Sequence, residues 1–129
     1  MRALYSRVIL DHFRHPHNFG SLPSADVVCE EVNPLCGDRI RVEVKMDGSV
    51  IEAARFSGDG CAISIAAASI LTELIVGANI DAGDELISGR QILSSLESDI
   101  KPARVKCAML ALEALRSGVK NYKTSRAGK

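Results

Sequence analysis

With 129 residues, 47% of them apolar and 25% charged, the chain has the composition of a soluble globular protein and a length that fits one domain, residues 1–129. Its 16 basic and 16 acidic side chains cancel, which removes the basic stripe that nucleic acid requires and weakens any case for an anionic membrane surface. No apolar run approaches the ~18 residues of a membrane span, and the N-terminal stretch is interrupted by Ser6, Arg7 and Asp11, unlike a secretory signal, so a cytoplasmic location is expected.

In chain order, residues 3–14 form a short amphipathic helical pattern with Leu4, Val8 and Phe13 near one stripe and Ile9 beside it. Pro16 and Gly20 end it. A turn-rich connector over 21–26 leads into a β region. Asp26–Val32 is a weak strand, and Asn33–Pro34 a turn. Arg39–Met46 alternates, with Ile40, Val42, Val44 and Met46 on one face and Arg39, Arg41, Glu43 and Lys45 on the other. Arg39 and Arg41 are read as solvated. Asp47–Gly48 is a hairpin signal, because such turns need positive φ, and Ser49–Phe56 is the returning strand.

The period then changes. Ala62–Val76 reads as one helix, rich in Ala, Ile and Leu, with Gly77 as its cap. Asp81–Leu96 reads as one or two short helices with a break near Ser88–Gly89. Pro102 opens a last helix to about Ser117, stopped by Gly118, with a polar frayed tail from Asn121. The expected fold is α+β: a three-stranded antiparallel sheet with helices packed mainly on one face.

Thiols stay reduced in the cytosol, so the four cysteines are metal ligands, redox groups or core filler rather than disulfides. Cys36 follows Asn33–Pro34–Leu35 and precedes Gly37–Asp38. Cys61 ends the glycine loop Ser57–Gly58–Asp59–Gly60, and Cys107 lies early in the last helix. They stand 25 and 46 residues apart, so two loops and a helix must converge if they share a ligand. A helix N-terminus favours a thiolate at Cys61. Arg104 and Lys106 offer similar help to Cys107, and Asp38 can add an oxygen ligand beside Cys36. Three thiolates and one carboxylate would hold an iron–sulfur cluster less tightly than four thiolates, or would hold Zn²⁺ tetrahedrally. From the residues alone, structural thiols remain an equal alternative. Cys29, in a strand with no glycine or carboxylate motif, reads as a buried small hydrophobe. His12, His15 and His17 could bind a metal but read instead as surface or partner-facing, since His15–Pro16–His17 is a turn rather than one helical face. The alanines after Cys61 (Ala62, Ala66, Ala67, Ala68) read as close helix packing.

Asn33–Pro34–Leu35–Cys36–Gly37–Asp38, Gly60–Cys61–Ala62–Ile63–Ser64 and Arg104–Val105–Lys106–Cys107–Ala108 resemble the three cysteine motifs of U-type iron–sulfur scaffolds, the IscU/SufU family that also forms the N-terminal domain of NifU. Tyr5, Asp11–His12–Phe13 and the run from Pro16 to Gly20 resemble that family's opening segment. The resemblance spans about Leu4 to Tyr122. It implies a scaffold that builds a [2Fe–2S] cluster from iron and desulfurase-derived persulfide sulfur and passes it to apo-proteins. It implies ligands at Cys36, Asp38, Cys61 and Cys107, a persulfide acceptor at Cys36 or Cys107, and a dimer contact at Tyr5. The implied partners are a cysteine desulfurase, an iron donor, apo acceptors and a second copy of the chain around a bridging or facing cluster. The alternative is a zinc-bound sulfur acceptor that stimulates a SufS-type desulfurase. A purely structural zinc domain fits a mixed aspartate site poorly. Lys106, where IscU-like members carry histidine, and Ile100–Lys101–Pro102–Ala103–Arg104–Val105–Lys106, in place of their chaperone-binding segment, lean toward SufU. The spacing from Cys61 to Cys107 lacks the SufU insertion and leans toward IscU.

Overall fold

The structure is a computed structural model that describes residues 6–34, 37–81 and 87–127. The elements are α1 (Arg7–Arg14), β1 (Val27–Asn33), β2 (Asp38–Asp47), β3 (Val50–Asp59), α2 (Ala62–Ile75), α3 (Gly89–Ser95) and α4 (Pro102–Ala127). The strands form an antiparallel sheet in the order β1-β2-β3. Helices α2 and α4 lie on the sheet and against each other, α1 packs on α2, and α3 packs on α2 and α4. The expected α+β architecture is thus the observed one.

Alternation dictates the sheet's buried face. Asp38, Ile40, Val42, Val44 and Met46 of β2 are buried, while Arg39, Arg41 and Lys45 are exposed. A bulge between Lys45 and Met46 shifts the parity of β3, so Ile51, Ala54 and Phe56 all reach the core. The hairpin turn sits one residue later than its signal, with Gly48–Ser49 between the paired Asp47 and Val50 and Gly48 at φ +64°. Helix α2 is buried nearly all round, from Ile63 to Thr72. Small buried side chains on both helices, Ala66, Ala67 and Ala68 on α2 and Ala108, Ala111 and Ala114 on α4, suit the close packing of α2 on α4.

Two helix boundaries need correction. Helix α1 begins at Arg7, because Ser6 is extended (ψ 164°) and its Oγ accepts the Ile9 N–H at 3.1 Å; residues 3–5 of the expected helix lie outside the described residues. The expected break near Ser88–Gly89 is present: α3 starts there, and Ser88 and Gln91 form a reciprocal capping box; residues 82–86 before it are outside the described residues. Helix α4 does not stop at Gly118 or fray from Asn121; it runs to Ala127. Gly118 is a contact residue there. A Cβ on it would stand 2.6 Å from Val27 Cγ1 and 3.2 Å from Cys29 Cβ, so glycine is what lets α4 seat against β1. Glu43, on the polar side of β2, is buried. Its Oε1 accepts the Leu22 N–H at 3.2 Å and its Oε2 the Arg41 Nε–H at 3.2 Å, which pins the connector before β1 to the sheet. Gly77 does follow the end of α2, at φ +90°, and its N–H donates to the Ile51 carbonyl at 2.8 Å.

Among the described residues no helix is long and apolar enough to cross a membrane.

Candidate metal centre

Three elements bring Asp38, Cys61 and Cys107 together. Asp38 is the first residue of β2, paired with Asn33 across the strand ends, and the Gly37 N–H donates to the Asn33 carbonyl at 2.7 Å to close the intervening turn. The alternation that buries Ile40 and Val42 aims Asp38 the same way, toward the helices. Cys61 is the N-cap of α2. Its carbonyl accepts the Ile65 N–H and the Ser64 hydroxyl, both at 3.1 Å, while its thiol makes no capping bond. The sulfur therefore sits at the positive end of a 14-residue helix without being consumed by it. Cys107 is on the first turns of α4, where the helix turns its apolar side to α2, and it is buried.

One carboxylate oxygen and the two sulfurs all lie within 4.8 Å of one another. The loop before α2 makes this approach possible at Gly60: a Cβ there would crowd Asp38 Cγ at 3.3 Å and would collide with the Ser64 hydroxyl. Among the described residues, Asp38 Oδ2 is the buried side-chain oxygen that has no hydrogen-bond partner. An ionised carboxylate buried without a partner is costly, and a cation shared with two thiolates removes that cost. The donor set of sulfur and oxygen suits Zn²⁺ or iron, so the residues fit a metal or an iron–sulfur cluster. No disulfide joins the described cysteines.

Sequence reasoning placed all three of these residues at one site, and the structure gathers them. Cys36 and Tyr5 lie outside the described residues. Arg104 and Lys106 are exposed. Lys106 lines a cavity of about 270 Å³ with Val32, Asn33, Pro34, Leu110 and Glu113, beside the end of β1 that carries Asp38's partner. Cys29 is half-buried between β1 and α4, and burial, followed by the Glu31 carboxylate, pushes its thiol above its ordinary pKa.

The family model for the NifU-like N-terminal domain matches residues 4–129. The chain belongs to the NifU-like N-terminal domain family. Members similar to it include the zinc-dependent sulfurtransferase SufU of Bacillus subtilis, 39% identical with 91% of this chain and 90% of that protein covered. The iron–sulfur cluster assembly scaffold protein IscU of Escherichia coli K12 is 33% identical, with 97% of this chain and 98% of that protein covered. Among solved NifU-like structures, the putative iron–sulfur cluster assembly scaffold protein for the SUF system from Fervidobacterium islandicum matches with a TM-score of 0.76 and 26% identity, over 89% of this chain and 96% of that one.

A second cluster was missed by the sequence reading. His12 of α1, His17 after it and Glu73 of α2 also bring ligand atoms within 4.8 Å of one another. Thus two of the histidines, read as merely surface-facing in a turn, meet across the α1–α2 junction. The available signal was the spacing of Ser69 and Glu73 on one helical face; which helix would dock there was not legible. Burial, then the neighbouring His17, lower the pKa of His12, opposed by Glu73 and Asp11.

Proposed function

We propose that the whole chain acts as one scaffold domain on which a [2Fe–2S] cluster is assembled and from which it is passed to apo-proteins. Iron and sulfide are cargo rather than resident parts. The observation that carries this reading is the convergence of the Cys61 and Cys107 sulfurs on a buried aspartate, one of whose oxygens has no partner. Cys36, from the turn that ends at Asp38, supplies the remaining thiolate in the proposed set Cys36, Asp38, Cys61 and Cys107. The α2 N-terminus favours the thiolate of Cys61. Asp38 is the hard ligand among soft ones, and so the link most readily broken when the cargo leaves. Lys106 and Arg104, exposed on the first turns of α4, supply positive charge on the outer side of the site.

The proposed partners are a cysteine desulfurase as persulfide donor, an iron donor and apo acceptors, with the cytoplasm as the compartment. Pairing of two copies, with Tyr5 at the contact, would let clusters face or bridge. In this reading the chain is a carrier and not an enzyme.

A second reading has a specific observation in its favour, the 39% identity to a protein named as a zinc-dependent sulfurtransferase. Here Zn²⁺ holds the thiolates, and one of them, Cys36 or Cys107, accepts sulfur. The thiolate attacks the terminal sulfur of the donor's persulfide, a new S–S bond forms, and the donor's Sγ departs as a thiolate.

Metal and acid-labile sulfide analysis of protein purified without air separates the two. Iron and sulfide in equal amounts with visible charge-transfer absorption support the scaffold. One zinc per chain with no stable cluster, and stimulated desulfurase turnover, supports the acceptor. If changing Cys36, Cys61 and Cys107 together to Ser left the metal content intact, both readings would fail.

A further inference from the structure

The His12, His17 and Glu73 group is built rather than merely adjacent. Ser69 of α2, fully buried, organises it. The backbone N–H of His17 donates to Ser69 Oγ at 2.8 Å, and His12 Nδ1 is 2.7 Å from the same oxygen. Nearby, Asn18 Nδ2 donates to Thr72 Oγ1 at 3.1 Å and Thr72 donates to the Ser69 carbonyl at 2.7 Å, which ties the segment after α1 to α2 along one helical stripe. The imidazole of His12 is thereby fixed through one nitrogen, while its Nε2 faces Glu73 Oε1 at 3.9 Å. His17 Nδ1 stands 2.9 Å from that same oxygen, and the two rings lie 4.5 Å apart at 44°.

This is the arrangement that metal-bound histidine adopts: one nitrogen held by an outer hydrogen-bond partner, the other presented with a carboxylate opposite. Metal bonds of 2.0–2.2 Å at tetrahedral angles place ligand atoms about 3.4 Å apart. The two separations to Glu73 Oε1, 2.9 and 3.9 Å, straddle that value. Those two separations need only sub-ångström shifts, and the two imidazole nitrogens lie within 4.8 Å of each other. The adjustment falls on the exposed partners, since the side chains of His17 and Glu73 are 51% and 47% exposed against 15% for His12. The exposed side leaves room for water as a further ligand. Two borderline imidazoles beside one hard carboxylate suit Zn²⁺ and Fe²⁺ rather than Mg²⁺ or Ca²⁺.

We propose that His12, His17 and Glu73 form a second binding site, for a borderline divalent transition metal, at the α1–α2 junction. It is separate from the cysteine site: Glu73 is twelve residues beyond Cys61 on the same helix, about 18 Å along its axis. Its donors contain no sulfur, so it takes single ions and no cluster. It leaves the scaffold and acceptor readings untouched whichever of them holds.

The test uses Zn²⁺ alone as probe. In the full chain with Cys36, Cys61 and Cys107 changed to Ser, calorimetric titration is expected to show one Zn²⁺ per chain. Adding His17→Ala or Glu73→Gln is expected to weaken it at least about tenfold, while His15→Ala, an exposed neighbour in the same turn, leaves it unchanged. Absence of binding in the serine background, with folding verified by circular dichroism, would overturn the proposal, as would equal loss from His15→Ala. If that background does not fold, native mass spectrometry of the chain with its cysteines intact decides the matter. The unaltered chain is then expected to retain one more Zn²⁺ than His17→Ala or Glu73→Gln, and identical stoichiometry in all three would refute the site.

Discussion

Strand β2 buries two carboxylates to the same degree, and they are opposites in every other respect. Glu43 points to the side of the sheet away from α2 and α4, where it accepts from a backbone N–H and a guanidinium, with one bond on each oxygen. Asp38 points toward the helices, beside two cysteine sulfurs, and its Oδ2 accepts from nothing. Burial alone therefore does not distinguish a structural carboxylate from a ligand. The state of its lone pairs is the better guide, because an ionised oxygen buried without a donor is costly and calls for an explanation such as a bound ion.

The comparison is broken most severely from the thiolate side. Changing Cys61 and Cys107 together to Ser is expected to remove metal or cluster retention by more than the roughly 10–100-fold that loss of an outer hydrogen-bond partner costs. Metal content after anaerobic gel filtration measures this, and an unchanged value would return Asp38 to the structural class.

Next in size is the contrast in stability. Glu43→Ala strips a charged acceptor from the Leu22 N–H and from Arg41, and is expected to lower unfolding stability by about 1.5–3 kcal/mol. Asp38→Ala in chelator-treated protein is expected to leave stability unchanged or raise it, since it removes a buried charge that has an unpaired oxygen. Urea titration of both variants reads the difference, and equal losses would erase the distinction drawn here. In cluster-loaded protein, Asp38→Ala is expected to prolong cluster lifetime, measured by the decay of visible absorption on adding an apo acceptor; faster decay would contradict Asp38 as the labile link.

A smaller effect is expected at Gly118. Alanine gains helix propensity of about 1 kcal/mol but forces its methyl into β-branched Val27 and into Cys29 Cβ, an overpacking cost of about 1–3 kcal/mol. Neither neighbour is a flexible chain end, so a net loss of up to about 2 kcal/mol is expected on thermal or urea unfolding. A gain would mean that α4 is free to shift off β1.

The smallest effect sharpens the cysteine comparison. The thiol of Cys29 is raised by burial and by Glu31. Its neutral form is thus favoured by folding, and that contribution is fully present below the unfolded thiol's pKa, then lost as pH rises past about 8.5 toward the higher folded value. Iodoacetamide at pH 8 is expected to modify Cys29 several-fold more slowly than a free cysteine, read by peptide mass spectrometry.

The sequence made the sheet legible because alternation and a glycine turn are local signals, and it made the cysteine site legible because three short motifs each carry their own glycine or helix end. Gly118 was misread because glycine in isolation signals a stop. Only the approach of Val27, far away in the chain, reveals it as a contact. The burial of Glu43 was not legible because alternation assigns faces without saying what covers them. The His12–His17–Glu73 group depends on α1 docking against α2, and no periodicity encodes that pairing.

The outer side of β3 has a consequence for association. At one end Phe19 bridges to Phe56, whose N–H and carbonyl are taken by Asn18 and Gly20; at the other, Val50 bridges to Asn79 and Ile51 bonds Gly77 and Ala78. That border is therefore occupied at both places by the chain's own backbone. A strand adding there would first have to displace those bonds, which is one way a sheet edge is kept from pairing with another chain.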